Sequence, residues 1–284
     1  MFLYLLLLLS VLSVLLILLL ALMPRTAMQQ QCSEFCGLLF AHRGLWSAEE
    51  GIPENSLAAF SRAVNAGFAI ELDVQLTKDN KAVVFHDNSL RRMCGTDGRI
   101  RDFTHEQLRS LRLNGSAETI PSLSEVLTLV AGQVPLLIEL KSHHTDTQIC
   151  SIVTELLQDY RGKYCIESFS PFILHWYKKN RPGVVRGQLS CRFDPGEEPP
   201  GPLLFLSEYL MFNWYGRPDF IAYEFSRGTR LFVLKFLRKC FGTPAFAWTI
   251  HSEATLMKSR KYFDSVIFDR FIPDCPTQKL TTKE

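Results

Sequence analysis

Apolar and polar positions along the chain fall into two regimes. Residues 2–23, FLYLLLLLSVLSVLLILLLALM, contain no charged side chain. An apolar run of about 20 residues rises ~30 Å as a helix, the thickness of a bilayer's hydrocarbon core. Beyond it, short apolar runs alternate with amphipathic segments. The runs at 38–42, 68–76, 135–141, 164–169, 184–190, 219–224, 245–250 and 265–269 read as strands. Several are continuously apolar, as in parallel strands covered on both faces. The stretches 53–67, 104–113, 122–131, 146–160, 171–180, 203–215, 229–241 and 252–261 read as helices. The clearest is 53–67, with Leu57, Phe60 and Val64 at helical spacing, Pro53 near its start and Gly67 at its end. The proline-bearing stretch 194–202 reads as loop.

Eight strands alternating with helices predict an α/β protein, a (β/α)8 TIM barrel. An open doubly wound sheet would carry a glycine-rich phosphate turn after its first strand, and none is present. One strand candidate breaks the alternation. Residues 81–86, KAVVFH, follow the second strand with no room for a helix, so they predict a hairpin insertion there. A turn centred between Asp79 and Asn80 sets Asp73 opposite His86, folding the histidine over the end of the second strand.

The N-terminal run reads as one uncleaved transmembrane helix. A signal peptide would have a basic start, a shorter apolar stretch and small residues at its cleavage site; nothing basic precedes this run, and Ala21-Leu22-Met23 is a poor cleavage site. The expected organisation is an anchor at 1–24, a linker at 25–36, a barrel domain at 37–276 and a tail at 277–284. Arg25 follows the span with no Lys or Arg before it, which leans the single-pass protein toward a cytoplasmic catalytic domain. The net charge of +2 excludes a basic nucleic-acid-binding surface of the usual kind. The eight cysteines are scattered, with Cys150 and Cys165 in core-like patterns, which suits reduced thiols better than a disulfide framework. Cys32 and Cys36 lack a second pair and read as structural.

In such a barrel, functional groups gather at the C-terminal ends of the strands. Those ends offer His42 and Arg43, then Glu71 and Asp73, His86 from the hairpin, and Glu139 with Lys141. Glu71 and Asp73 are two apart, as are Glu139 and Lys141, so each pair projects from one face of its strand. Three converging carboxylates call for a cation, and an all-oxygen set suits Mg²⁺, Ca²⁺ or Mn²⁺ rather than zinc. Two imidazoles can then divide general acid and general base work, while Arg43 and Lys141 contribute positive charge for a phosphate. Taken singly, Glu139–Lys141 reads as an ion pair, Glu71 or Asp73 as an arginine partner and His86 as a turn residue. Their joint occurrence at strand ends favours a site for cleaving a phosphate ester. His105 and the pair His143–His144 read as structural.

These residues fall in blocks that resemble the glycerophosphodiester phosphodiesterase family, (β/α)8 enzymes related in fold to phosphatidylinositol-specific phospholipase C. The blocks are AHRG (41–44), PENS (53–56), ELDVQLTKDNKAVVFHD (71–87), IELK (138–141), ESFSP (167–171) and AFAWTI (245–250). The resemblance implies His42 and His86 as the acid/base pair and Glu71, Asp73 and Glu139 as ligands of one divalent cation, Mg²⁺ or Ca²⁺ or else Mn²⁺. It implies Arg43 and Lys141 at the phosphate, with Phe169 and Trp248 lining the substrate mouth. The activity it implies is metal-dependent hydrolysis of glycerophosphodiesters, of deacylated phospholipid or lysophospholipid type, through a cyclic phosphate. Two readings stand beside it: a non-catalytic anchored barrel that binds phospholipid head groups, and a phospholipase D-like relative that releases the cyclic phosphate. The chain departs from the family pattern at 268–273, FDRFIP, and at 91–95, RRMCG, both where head-group selection is expected.

Overall fold

The structure, a computed structural model, describes residues 2–26, 29–142, 145–193, 202–226 and 228–274. His143, His144, Cys275 and the tail at 277–284 lie outside the described residues, as does the expected loop as far as residue 201. The apolar N-terminal run forms one helix, Phe2–Leu22. It is long and apolar enough to cross a membrane, a test that a signal sequence also passes.

Eight parallel strands close into a barrel: β1 (Leu39–His42), β2 (Ala69–Leu76), β4 (Leu136–Leu140), β5 (Tyr164–Ser168), β6 (Arg186–Ser190), β7 (Phe220–Glu224), β8 (Ala245–Ile250) and β9 (Ser265–Phe268). The ring closes through pairing of β1 with both β2 and β9. β3 (Ala82–Val84) runs antiparallel along β2 as the expected hairpin.

Alternate residues of each strand enter two different cores. Ile70, Leu72, Ile138, Ile166 and Tyr223 pack with helix residues such as Phe60, Val126 and Ile173, so they face outward onto the helical layer. Phe40, Ala69, Leu137, Cys165, Phe220 and Phe246 form a separate cluster that faces into the barrel. Phe220 and Phe246 stack with ring centroids 4.2 Å apart. Cys32 and Phe35, from the segment before β1, plug the base of this inner core. Moving two residues toward the C-terminal end, the inward positions change chemistry: Phe40 gives way to His42, Ala69 to Glu71, Leu137 to Glu139 and Cys165 to Glu167. The apolar floor therefore carries a polar mouth.

Local details differ from the sequence expectations. The hairpin register pairs Val74 with Val84, and the Phe85 N–H bonds the Asp73 carbonyl at 2.9 Å. Asp73 thus faces Phe85, one residue short of the expected His86. The cause is a three-residue loop, Lys78-Asp79-Asn80, with Asn80 at φ 59° and Lys81 N–H bonded to Thr77 Oγ1; a two-residue turn would have shifted the register by one. The first barrel helix begins at Leu57, later than Pro53, because Ser56 caps it by accepting from the Ala59 N–H. The PENS block is thereby released to serve the mouth. The expected helix at 104–113 is shorter, His105–Arg109, and belongs to the excursion after the hairpin. The expected helix at 203–215 splits into Pro202–Glu208 and Asn213–Gly216, with Leu210 at φ 60° between them.

The inner core leaves no room at Gly187, where an added Cβ would meet the Phe220 ring at 2.1 Å. Gly187→Ala is expected to destabilise the barrel by about 1–3 kcal/mol, measured by urea denaturation. An unchanged midpoint would show that this packing is looser than described.

Candidate active site

The mouth is assembled by register. Pairing sets His42 level with Glu71, Asp73 level with Glu139, and Glu139 level with Glu167. Because all are inward positions on adjoining strands, their side chains meet. Glu71, Asp73 and Glu139 each offer an oxygen, and these atoms all lie within 4.8 Å of one another, buried. Burial, followed by repulsion from Asp73 and Glu139, pushes the Glu71 carboxyl well above the usual carboxylate range. Burial also raises Glu139, against the pull of Lys141. For Asp73, burial is outweighed by Lys141, His86 and Arg43, which lower its pKa. Protons held by such a cluster occupy the place a cation would take.

A divalent cation fits these residues. The donor set is all carboxylate and buried, with Asp73 Oδ1 held by a single counter-charge. Its only described partner is the Lys141 ammonium at 3.0 Å, which also reaches Glu139 Oε1 at 2.8 Å. Burial opposes the Lys141 charge, but Asp73 and Glu139 more than restore it and raise its pKa. Asn55, held at φ 54°, donates from Nδ2 to Asp73 Oδ2 at 2.8 Å, and its own Oδ1 is buried without a partner.

Both expected catalytic histidines are tied at Nδ1 to a carboxylate. His42 Nδ1 lies 3.1 Å from Asp269 Oδ2, and Asp269 also binds His251 through its other oxygen. His86 Nδ1 lies 2.8 Å from Asp87 Oδ1. A carboxylate accepts at Nδ1, so each neutral ring carries its proton there and keeps a lone pair on Nε2. His42 Nε2 stands 3.9 Å from Glu71 Oε2, directed at the acidic cluster. Burial lowers the His42 pKa below the ordinary imidazole value, which keeps the ring neutral near pH 7, with its Nε2 lone pair able to accept a proton.

Arg43 sits at φ 61°, followed by Gly44 at φ 80°. A Cβ on Gly44 would lie 2.9 Å from the Ala59 backbone, so glycine alone fits the chain's sharp exit from β1. That exit turns the Arg43 N–H onto Glu71 Oε2 at 2.9 Å and its guanidinium onto Glu54 Oε1 at 2.7 Å. Glu54 is shared with Arg92, at 2.6 Å and 2.9 Å, and Arg92 also grips Asp87. Burial alone would raise the Glu54 pKa, and the two arginines reverse it. A chain of charges therefore runs from Arg43 through Glu54, Arg92 and Asp87 to His86.

These groups open onto a cavity of about 780 Å³ whose lining includes His42, Arg43, Trp46, His86, Arg92 and His251. Phe169 and Trp248 do not line it; they meet edge to face at 5.7 Å, with Phe193 beside Phe169. Sequence reasoning assigned no role to Glu54, Asn55, Arg92, Glu167, His251 or Asp269. Glu54, Asn55 and Glu167 stood inside quoted blocks, but their polar partners arrive from distant strands. Asp269, within the departure from the family pattern at 268–273, is the carboxylate behind His42.

The family model for the glycerophosphoryl diester phosphodiesterase family matches residues 42–271. The chain belongs to this family. It is accordingly a phosphoric diester hydrolase. The Bacillus subtilis (strain 168) protein YhdW is 30% identical over 230 residues, covering 78% of this chain and 88% of its own. A glycerophosphodiester phosphodiesterase of Caldanaerobacter subterraneus is 34% identical over 54% of this chain and 66% of its own. Among solved structures, the enzyme of Thermotoga maritima aligns with a TM-score of 0.62 at 29% identity, covering 81% of this chain and 93% of that one. An Oleispira antarctica phosphodiesterase, solved with its product sn-glycerol-3-phosphate, shares the fold at a TM-score of 0.68 and 24% identity, covering 83% and 94%.

If the acidic cluster holds a divalent cation, Mg²⁺, Ca²⁺ or Mn²⁺ at a hundred times its dissociation constant stabilises the fold by about 2.7 kcal/mol. That is roughly 5–10 °C in Tm for a domain of this size. Differential scanning fluorimetry is expected to show the shift in the native chain and its loss in Glu71→Gln. An equal shift in the variant would place the cation elsewhere.

Proposed function

We propose that this chain hydrolyses glycerophosphodiesters of the deacylated phospholipid or lysophospholipid type, giving glycerol phosphate (acylglycerol phosphate from a lysophospholipid) and an alcohol by two-histidine acid/base catalysis. The observation that carries this reading is the paired arrangement at the mouth: two imidazoles, each tied at Nδ1 to its own carboxylate, on either side of a buried acidic cluster.

Glu71, Asp73 and Glu139 would hold one divalent cation, which when bound polarises the phosphodiester and lowers the pKa of a nearby hydroxyl. One histidine takes the proton of the glycerol 2-hydroxyl at Nε2 as that oxygen attacks phosphorus in line. The other, protonated, gives its proton to the departing alcohol. A cyclic phosphate results, and water opens it with the two roles exchanged. Arg43 and Lys141 offset the negative charge gathering on the phosphoryl oxygens. In this reading Phe169 and Trp248 supply an apolar edge for the part of the substrate beyond the phosphate, and Asp269 and Asp87 stabilise each imidazolium as it forms.

The same reading takes Phe2–Leu22 as an uncleaved single-pass anchor, with the barrel domain at 37–276 on the cytoplasmic side. Substrates would then be phospholipid derivatives at or near a bilayer.

In assays of the full chain in detergent with sn-glycero-3-phosphocholine and lysophosphatidylcholine, His42→Ala and His86→Ala are each expected to lower kcat by about 10²–10⁴. The cation-induced rise in Tm should persist in both. Wild-type kcat in either variant would remove that histidine from the chemistry. Accumulation of cyclic phosphate in place of glycerol phosphate would reassign the chain to the phospholipase D-like outcome.

A further inference from the structure

The apolar side chains left exposed outside the N-terminal helix are unevenly placed. Among the described residues, Leu156, Phe169, Phe172, Met257 and Ile272 are scattered along the chain, whereas Leu203, Phe205, Trp214, Phe232 and Phe236 fall within 202–216 and 231–241, with Phe232 62% and Phe205 56% exposed. They sit on helix Pro202–Glu208, on the turn Asn213–Gly216 and on helix Leu231–Phe241. Tyr209 joins the two helices, its ring 4.4 Å from Phe205 and 5.9 Å from Phe232. The stripe spans the barrel's height. The two helices follow the C-terminal ends of β6 and β7, so Leu203, Phe205 and Phe232 in their first turns stand at the mouth end. Trp214 precedes β7 and stands at the opposite end.

The far end of the stripe meets the N-terminal helix. Asn213, next to Trp214, donates from Nδ2 to the Leu22 carbonyl at 3.1 Å. Arg217 donates to the Met23 carbonyl at 3.1 Å, and the Arg25 N–H donates to the Pro218 carbonyl at 2.8 Å. The chain thus leaves the apolar helix already fastened to the flank. A bilayer spanned by Phe2–Leu22 has its surface beside Trp214. The charges fit that surface as well. Helix Leu231–Phe241, LFVLKFLRKCF, contains no acidic residue, and its exposed face sets Lys235 and Lys239 among Phe232 and Phe236. An aromatic face interspersed with lysines is the composition of helices that lie in an anionic membrane interface.

We infer that this flank is a second membrane contact, resting on a bilayer with anionic head groups and tilting the barrel so that one edge of its mouth faces the lipid. The inference rests on the anchor reading above and extends it: the span tethers the enzyme, and the flank orients it. A lysophospholipid leaving the bilayer then meets the mouth at its rim, whereas a soluble glycerophosphodiester enters from water.

The test uses the full chain in vesicles of phosphatidylcholine, with or without phosphatidylglycerol, carrying a photoactivatable phospholipid. After irradiation, mass spectrometry maps the lipid adducts. Adducts are expected on 2–22 and on peptides containing Phe205, Trp214 and Phe232, the latter increasing with phosphatidylglycerol. The combined F205S, F232S and F236S variant should lose the flank adducts and turn over vesicle-borne lysophospholipid more slowly. Its unchanged turnover of soluble glycerophosphocholine would show that it folds. Adducts confined to 2–22 would overturn the inference and leave the anchor intact. Adducts on neither region would remove the anchor reading and the inference with it. A chain that sediments as a dimer in detergent, and as a monomer once the three phenylalanines are replaced, would assign the flank to a second copy and also overturn it.

Discussion

Repulsion among buried carboxylates is the constraint around which the mouth is organised. β2, β4 and β5 bring Glu71, Asp73, Glu139 and Glu167 to neighbouring inward positions with little water to screen them. Burial raises the pKa of Glu167 as it does those of Glu71 and Glu139. Such a set is stable only if it holds protons, borrows positive charge or binds a cation. Lys141, Arg43 and the Arg43 N–H supply part of the compensation from directly adjoining backbone. What they leave over is the electrostatic demand for a divalent ion.

The same economy of charge orders the rest of the site. Each histidine is anchored by an aspartate: His42 by Asp269, from the end of β9, and His86 by Asp87, its neighbour in the turn after β3. Glu54 and Arg92 then connect Arg43 to Asp87, so the first strand's exit and the hairpin excursion are held as one unit. This explains why the excursion, with its own core around Phe85, Met93 and Leu108, is built into the fold rather than appended to it. It places Arg92 and His86 at fixed distance from the barrel. The floor below has the opposite character: Phe40, Phe220 and Phe246 give the polar rim a rigid, dry base.

Much of this was legible in the sequence, for physical reasons. Parallel strands buried on both faces advertise themselves as apolar runs, and strand periodicity puts Glu71 with Asp73 on one side. The barrel, the hairpin and the acidic convergence followed from those two facts. The misses share a cause. The hairpin register depends on whether Asn80 enters the left-handed region, a choice that turns on one residue's φ. The carboxylates behind His42 and Arg43 lie 227 and 11 residues away in sequence, and no spacing rule pairs them. PENS read as a helix start because Pro53 suits a first turn; in the fold Ser56 is the cap, and Glu54 and Asn55 are freed for the mouth.

The central claim, that the three carboxylates are a cation site, is tested most directly by anomalous diffraction from crystals of the full chain grown with Mn²⁺. The account predicts one strong anomalous peak per chain, about 2.0–2.6 Å from oxygens of Glu71, Asp73 and Glu139. A peak coordinated by other residues, or none there at saturating Mn²⁺, would contradict it.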